Sequence, residues 1–397
     1  MYALGFTLRH IGTMRTSPFS LLLVSGFIAA IALTCLGCGA EADGIASPSA
    51  QVVHGREAAV SVNENAVRWA SGFGFLYGGE VLWLAHDGDT TWWVHSGSVA
   101  PLARCTVLPE AKRIALATWS TTHVPFVRAS GALNQWTASG YLDRVDIEPG
   151  ADRFPLGGDA GLDEEMLLAS GANVLTSYPF GDPMMGVEER TGIPVMALAE
   201  YAEAHPLGRA EFIKVFGWLT GRLEEANSAF EAVETAYTHA RDSGLRAALT
   251  EGRPVVFAGS SQGGKWMAPG PGGLVAQLLE DAGGSYAFAE GKANSLGLKK
   301  VGSNFEVETE QCALIAAGCD AFGKVVFAPE GWRVSDALTE APWFDFQDRT
   351  VFHCNTAEVD YFGEAIMEPH EMLADLVHLF HPSIGARDFV YFQPTPP

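Results

Sequence analysis

Cysteine, basic side chains and long apolar runs are all scarce in this chain of 397 residues. The four cysteines beyond residue 38 show no C-x-x-C spacing, which argues against a zinc site or a redox motif. Only 25 Lys and Arg residues face 47 Asp and Glu residues, giving a net charge of −22. Such a chain repels nucleic acid and anionic lipid. Its acidity either attracts cationic patches on a protein partner or simply keeps an exported protein soluble.

No long apolar run follows residue 38, so a second membrane segment is not expected. Before that point there is one apolar run, LLLVSGFIAAIALTCLGC at 21–38. It follows a segment whose charged side chains are Arg9 and Arg15. An apolar run of about 14 residues is too short to span the bilayer but suits a signal peptide. Its end, Leu-Gly-Cys38, resembles a bacterial lipobox, although Cys35 occupies the usual aliphatic position. That resemblance implies export, cleavage before Cys38 and lipidation of its thiol, so that the mature protein lies on a membrane.

The rest of the chain divides into regions with different predicted secondary structure. Short β-prone runs separated by Gly and Asp-Gly come first, then strands alternate with helical segments, which is typical of parallel βαβ units. A nearly continuous helical stretch, in which Gly217 and Gly221 are weak points, separates two such alternating regions. The predicted divisions are a signal peptide (1–37), a tether (38–53), a β-rich extension (54–109), an N-terminal α/β lobe (110–208), a linking helical region (209–249) and a C-terminal α/β lobe (250–397).

Four segments in this order resemble the cluster-A, helix-linked periplasmic binding proteins for iron–siderophores, haem and cobalamin. They begin RIALATWSTTH, LDEEMLLASG, RPVVFAGSSQGG and EMLADLVHLF, and the resemblance covers roughly residues 107 to 394. In the second segment Gly171, Ala172 and Asn173 replace the family's usual Lys, Pro and Asp. The resemblance implies an α/β fold of two Rossmann-like lobes joined by a long helix. The small N-terminal β-rich extension is absent from the minimal family.

In such a fold the loops at the carboxyl ends of parallel strands line a crevice where ligands bind. Aromatic faces with hydroxyl and amide groups at those loops suit a large, flat, partly polar metal chelate. The candidate ligand-binding residues are Trp119, Ser120, Thr121, Thr122, Tyr178, Phe180, Ser260, Ser261, Trp266, Met267 and Asn355. The resemblance implies transport without catalysis, with no cofactor other than the transported chelate.

The resemblance also implies a partner, an ABC permease dimer with its ATPase, on the periplasmic side of a bacterial membrane. In the family, one Glu on each lobe pairs with permease arginines, and Arg–carboxylate pairs fix docking register. By residue order these are Glu165, with Glu164 as alternative, and Glu306, with Glu308 as alternative. Each is otherwise a solvated residue in the first turn of a helix.

An α/β-hydrolase is the main alternative, because Gly259-Ser260-Ser261-Gln262-Gly263 matches G-x-S-x-G after an apolar strand. Ser261 would be the nucleophile, with Asp320 or Asp345 and His353 completing the triad. The elbow must turn directly into a helix, however, and the Gly- and Pro-rich residues that follow oppose this.

A metal or haem binder is a further alternative. His378 and His381 lie three apart on one predicted helix, with Glu371 and Asp375 near them. If haem were the ligand, an axial His or Tyr would be needed, and His123 or Tyr178 would be the candidate.

The cysteines leave one more question open. In an oxidising compartment Cys105, Cys312, Cys319 and Cys354 permit disulfides in three pairings.

Overall fold

The computed structural model describes residues 67–98, 104–145, 152–180 and 184–397. The predicted signal peptide, the tether and Cys38 therefore lie outside the described residues. Within the described ranges, no helix combines the length and apolar character needed to cross a bilayer.

A four-stranded sheet forms the N-terminal extension. Its strands, in spatial order, are β1 (Phe73–Leu76), β2 (Val81–His86), β3 (Asp89–His95) and β4 (Thr106–Leu108). Neighbours are antiparallel except β3 and β4. The predicted Asp-Gly hairpin is present, with Asp87 and Gly88 at φ 49° and 85°, the left-handed conformation such tight turns require. One face packs Phe73, Leu82 and Leu84 into the main hydrophobic core.

The first lobe is built on a parallel sheet of order β11-β10-β5-β6-β7. Its strands and helices, with a small β8–β9 hairpin, are β5 (Leu116–Thr118), α1 (Val124–Ala129), β6 (Trp136–Ser139), β7 (Phe154–Pro155), β8 (Gly157–Gly158), β9 (Gly161–Leu162), α2 (Glu164–Ala169), β10 (Val174–Ser177), α3 (Val187–Thr191) and β11 (Val195–Ala197). The chain proceeds from β5 to one side of the sheet and returns to β10 on the other. The topological switch point therefore lies between β5 and β10.

Three helices rather than one connect the lobes: α4 (Pro206–Glu211), α5 (Ile213–Thr220) and α6 (Leu223–Glu251). The expectation of nearly unbroken helix over 209–249 is therefore corrected. The chain ends α5 at Gly221, whose φ of 71° is the left-handed conformation glycine adopts readily. The remaining α6 has 29 residues and is about 43 Å long.

Gly217 lies inside α5, where it allows α5 and α6 to pack closely. A Cβ at this position would come 2.4 Å from the Ala226 Cβ and 2.8 Å from the Arg222 carbonyl oxygen. Because neither group can rotate away, Gly217→Ala is expected to lower the free energy of unfolding by about 1–3 kcal/mol. Urea unfolding measures this. The matched control is Gly291→Ala at an exposed helical position with open space around it, which should stabilise instead.

The second lobe has a sheet of order β15-β12-β18-β19-β20, parallel except at β20. A separate antiparallel sheet has the order β13-β14-β17-β16. The elements are β12 (Val255–Ala258), β13 (Ser260–Gln262), β14 (Lys265–Pro269), α7 (Leu274–Asp281), β15 (Ser285–Tyr286), α8 (Glu290–Ser295), β16 (Lys299–Val301), β17 (Asn304–Val307), α9 (Thr309–Ala316), β18 (Ala321–Val326), α10 (Val334–Glu340), β19 (Thr350–Asn355), α11 (Pro369–Phe380) and β20 (Gln393–Pro394). The sequence NFEVETEQCALIAAG at 304–318 predicts one helix, and the second sheet corrects this, because residues 304–307 form a strand.

The predicted fold class is confirmed: two α/β lobes with separate parallel sheets, a long connecting helix and an N-terminal β-rich extension. The lobes also contact each other away from that helix. Arg128 on α1 of the first lobe forms an ion pair with Glu364, which follows β19 in the second. Both side chains are about one-third exposed, so this pair adds little stability.

Candidate functional site

The candidate site in the first lobe lies at the carboxyl ends of β5 and β10, the switch point of its sheet. Trp119 continues β5, and its backbone N–H donates to the Thr176 carbonyl at 2.8 Å. Tyr178 follows β10 directly. The two loops that the sequence analysis predicts to contact the ligand are therefore neighbours at this edge of the sheet.

Hydroxyl groups after β5 are held in place by one another. The Ser120 hydroxyl caps the 3₁₀ turn Thr121–His123 by accepting the Thr122 N–H at 3.3 Å. Its oxygen also lies 2.8 Å from the Thr122 hydroxyl oxygen. Ser120, Thr121 and Thr122 are all half-buried. Trp119, by contrast, is only 3% exposed and packs against Tyr141, which corrects its expected place in an open cleft.

A buried carboxylate that sequence analysis missed supports this loop from below. Glu200 begins the 3₁₀ turn Glu200–Ala202 after β11, and its Oε1 accepts the Thr122 hydroxyl at 2.8 Å. Its Oε2 lies 3.5 Å from His123 Nε2, and both side chains are almost fully buried. Burial raises the pKa of Glu200, but the charge of His123 and the hydrogen bonds outweigh it, so the net pKa is lowered. Glu200 is thus held as a carboxylate inside the lobe.

His123 is fully buried between two partners. Its Nδ1 lies 3.0 Å from the Thr176 hydroxyl, while Nε2 faces Glu200. The interpretation of His123 as an axial haem ligand is therefore corrected, because the ring has no exposed edge.

Aromatic rings continue from the end of β10 across the lobe surface. Tyr178 and Phe180 stack with centroids 4.2 Å apart, and Phe180 meets Tyr201 edge-on at 5.0 Å. The Tyr201 hydroxyl oxygen lies 3.4 Å from Nε2 of His86 on the N-terminal sheet. We call Tyr178, Phe180, Tyr201 and His86 the aromatic row; all four are half-buried. Tyr201 and His86 carried no sequence motif and were missed.

In the second lobe the predicted ligand residues separate into different environments. Ser260 and Met267 are half-buried register partners in the antiparallel β13–β14 pair, not loop residues. Trp266 is 3% exposed, packs 5.5 Å from the Phe257 ring and donates its indole N–H to the Ala258 carbonyl. It belongs to the core, because alternate residues of β14 face opposite sides.

Asn355 is likewise a structural residue. It ends β19 and is 1% exposed. Its amide oxygen accepts the Ala328 N–H, and its amide nitrogen donates to the Ala328 carbonyl and to Glu358. These bonds fix the turn after β18. The Asn355 side chain therefore holds that turn in place and is not exposed to contact a ligand. The turn begins with Phe327, a 46% exposed aromatic residue that the sequence analysis did not single out.

The G-x-S-x-G motif does not form a nucleophile elbow. Ser261 lies in β13, where its backbone N–H donates to Glu340 at 3.0 Å, and the strand turns at Gly263 and Gly264 into another strand. An elbow requires a strand-to-helix turn that projects the serine. His353 is buried, with Nδ1 3.0 Å from the Thr395 hydroxyl. The geometry therefore argues against the hydrolase alternative.

The two predicted docking carboxylates have different surroundings. Glu165 is exposed in the first turn of α2, beside Glu164, which Arg190 holds in a two-pronged salt bridge. Glu306 lies in β17 rather than a helix, and Lys265 and Lys299 both contact it. Hydrogen bonds from these lysines lower its pKa. Glu308 caps α9 and also pairs with Lys265.

Neither the histidines nor the cysteines of the described ranges form a metal centre. No cluster of three or more His, Cys, Asp or Glu side chains suited to a metal ion occurs there. His381 is fully buried near Glu251, and His378 bonds the Ala374 carbonyl of its own helix. All four cysteines of that part are free, and burial raises the pKa of Cys354 to about 12. Because all four thiols are free, none of the disulfides that the sequence permits is present among these cysteines.

Two α/β lobes joined by a long helix, as described above, are similar in fold to solved structures of periplasmic binding proteins. A possible iron-binding, periplasmic solute-binding protein from Staphylococcus epidermidis is 15% identical, with a TM-score of 0.51, covering 68% of this chain and 99% of its own. A periplasmic heme binding protein from Pseudomonas aeruginosa is 16% identical, with a TM-score of 0.53 and coverages of 71% and 98%. A periplasmic binding protein from Veillonella parvula is 12% identical, with a TM-score of 0.54 and coverages of 76% and 98%.

One curated sequence is similar as well. An uncharacterized lipoprotein of Methanocaldococcus jannaschii is 26% identical over 228 residues, which make up 55% of this chain and 50% of that protein. The chain thus spans about half the length of the curated relative it matches. No protein-family model matches the chain. The resemblance to helix-linked periplasmic binding proteins is therefore confirmed as a likeness of fold.

Proposed function

We propose that this chain is the solute-binding protein of an ABC importer and captures a metal chelate between its lobes. The observation that carries this proposal is that the two-lobed fold places side chains suited to a ligand at a switch point. The β5–β10 switch point presents hydroxyl groups and stacked aromatic rings, and a 29-residue helix joins that lobe to a second one. Switch points are where open α/β sheets bind ligands.

The ligand class follows from these side chains. Stacked aromatic rings favour a flat, conjugated surface, while Ser120, Thr121 and Thr122 offer hydrogen bonds to polar edges. Two proteins of similar fold are described as a possible iron-binding protein and a heme binding protein, which supports a metal complex as the ligand. Tyr178 is the remaining candidate for an axial contact with haem, since His123 is enclosed.

The anchor and the partner belong to the same proposal. Lipidation of Cys38 would hold the protein at the periplasmic face of a membrane, and the name of the archaeal lipoprotein relative supports it. In the first lobe we retain Glu165 as the permease contact because it is exposed. In the second lobe Glu308, 56% exposed, is the better candidate than Glu306, whose charge two lysines already balance.

Intrinsic tryptophan fluorescence tests the proposal. The protein is titrated with ferric siderophores, haemin and cyanocobalamin, and one of them is expected to quench the fluorescence saturably at micromolar concentration. Metal-free siderophore and metal-free protoporphyrin are the matched controls for recognition of the chelate. Absence of saturable quenching by the whole panel would contradict the proposed function.

A further inference from the structure

The N-terminal sheet is a fixed part of the first lobe. Glu211 on α4 accepts the backbone N–H groups of Arg68, Trp69 and Ala70 at 2.7–3.0 Å. Glu203 accepts those of Ser71 and Gly72 at 2.7 Å. Five consecutive backbone donors are thus bound by two buried carboxylates.

Contacts further along the sheet fix its orientation. The Trp218 indole donates to the Gly79 carbonyl at 2.7 Å, and the His95 ring lies 4.3 Å from the Trp218 ring. The Phe73 ring contacts Phe212 at 4.9 Å. Because the sheet is held at several points, the tip of its β2–β3 hairpin has a defined position.

That tip lies at the carboxyl-end edge of the first lobe. His86 ends β2 and contacts Tyr201, which follows β11 in the turn Glu200–Ala202. The Tyr201 backbone is itself held, since Arg209 donates to its carbonyl at 2.6 Å. Asp87, with a side chain 54% exposed, lies 3.0 Å from His86 Nε2. The aromatic row therefore joins the hairpin to Tyr178 at the switch point.

We propose that the hairpin tip forms one wall of the ligand site, so that Asp87 and the aromatic row, which includes His86, bind a planar, conjugated, oxygen-bearing part of the ligand. This inference rests on the proposed function. The ring faces supply stacking, and the imidazole, phenol and carboxylate supply hydrogen bonds to ring oxygens. The extension that the minimal fold lacks thereby acquires a role in selectivity.

The test compares three iron complexes with wild-type protein: haemin, ferric tris(2,3-dihydroxybenzoate) and ferrioxamine B, an aliphatic hydroxamate. The first two distinguish a tetrapyrrole from a catecholate as the source of the planar group. His86→Ala is expected to lower the affinity for the planar probe that binds about tenfold. His239→Ala, at an exposed position on α6, is expected to leave that affinity unchanged. Circular dichroism confirms that both variants fold.

Hydrogen exchange of wild-type protein provides a readout without substitution. Saturating planar probe is expected to slow exchange of the backbone amides at 86–90. Unchanged exchange there, or equal probe affinity of wild type and His86→Ala, overturns the inference. Binding of ferrioxamine B alone overturns the inference but supports the proposed function. If neither these complexes nor cyanocobalamin binds, the proposed function fails and the inference fails with it.

Discussion

Replacing Glu211 with alanine is expected to lower the free energy of unfolding by about 3–5 kcal/mol, because a buried positive charge loses its partner. Glu211 is 0% exposed and Lys214 only 3% exposed, and their charged atoms lie 2.6 Å apart. The same carboxylate satisfies three backbone donors of residues 68–70. The substitution therefore removes the carboxylate partner of one buried charge and the acceptor of three N–H groups at once.

Two measurements check this prediction. Urea unfolding followed by tryptophan fluorescence gives the loss of stability, and limited proteolysis reports whether the N-terminal sheet detaches from α4. Glu224→Ala, at an exposed position in the first turn of α6, is the matched control and should change stability by less than about 0.5 kcal/mol.

A double variant separates charge from packing. Glu211→Gln with Lys214→Met removes both charges, keeps an acceptor oxygen for the backbone donors and preserves the packing against Phe230, 4.6 Å from the lysine nitrogen. It should recover much of the stability lost in Glu211→Ala, since apolar replacements of buried ion pairs are often neutral. A stability equal to that of Glu211→Ala would show that the ion pair is not the cause.

The order of strands and helices was accessible from the sequence because it depends on local patterns. Alternating apolar strands and amphipathic helices predict two parallel sheets, and Asp87-Gly88 predicts the hairpin that the structure contains. Gly221 was recognised as a weak point and ends α5. A separate break at Phe212, between α4 and α5, carries no glycine or proline and was not visible.

The prediction of helix at 304–307 is wrong, and the signals that contradict it are present in the local sequence. Phe305 and Val307 alternate with polar residues, as in a half-buried strand, and both are buried in β17. Glu308 and Gln311 form a capping box at the true start of α9. Reading these signals would have ended the strand and begun the helix at the observed positions.

The candidate site was only partly predictable, because burial depends on tertiary structure. Residues after β5 and β10 follow from the switch-point rule, yet Trp119 and Trp266 are packed inward while Tyr178 remains half-exposed. Nothing in the local sequence marks Glu200 as a buried carboxylate. Its partners Thr122 and His123 are 78 and 77 positions earlier and meet it only through the β11-β10-β5 order of the sheet.

Replacing Glu200 with glutamine is expected to lower both stability and chelate affinity at neutral pH. The loss of charge weakens the bond from Thr122 and leaves His123 beside a neutral amide, at a cost of about 1–3 kcal/mol. Because Thr122 and Tyr201 flank the predicted ligand edge, their displacement should weaken chelate binding as well. Glu165→Gln, an exposed position, is the matched control and should leave both quantities unchanged.

The pH dependence of this difference identifies its cause. A carboxyl whose pKa is lowered by folding contributes stability above its ordinary pKa of 4.5 and loses it as the pH falls through the lower, folded value. Urea unfolding measured at successively lower pH, starting from pH 7, should therefore show wild type and Glu200→Gln converging as the Glu200 carboxyl becomes protonated. A difference that stays constant over this range would mean that shape, and not charge, is what Glu200 contributes. Convergence would instead show that the loop bearing Ser120–Thr122 is held by a buried negative charge, which a ligand at that edge would encounter already fixed in place.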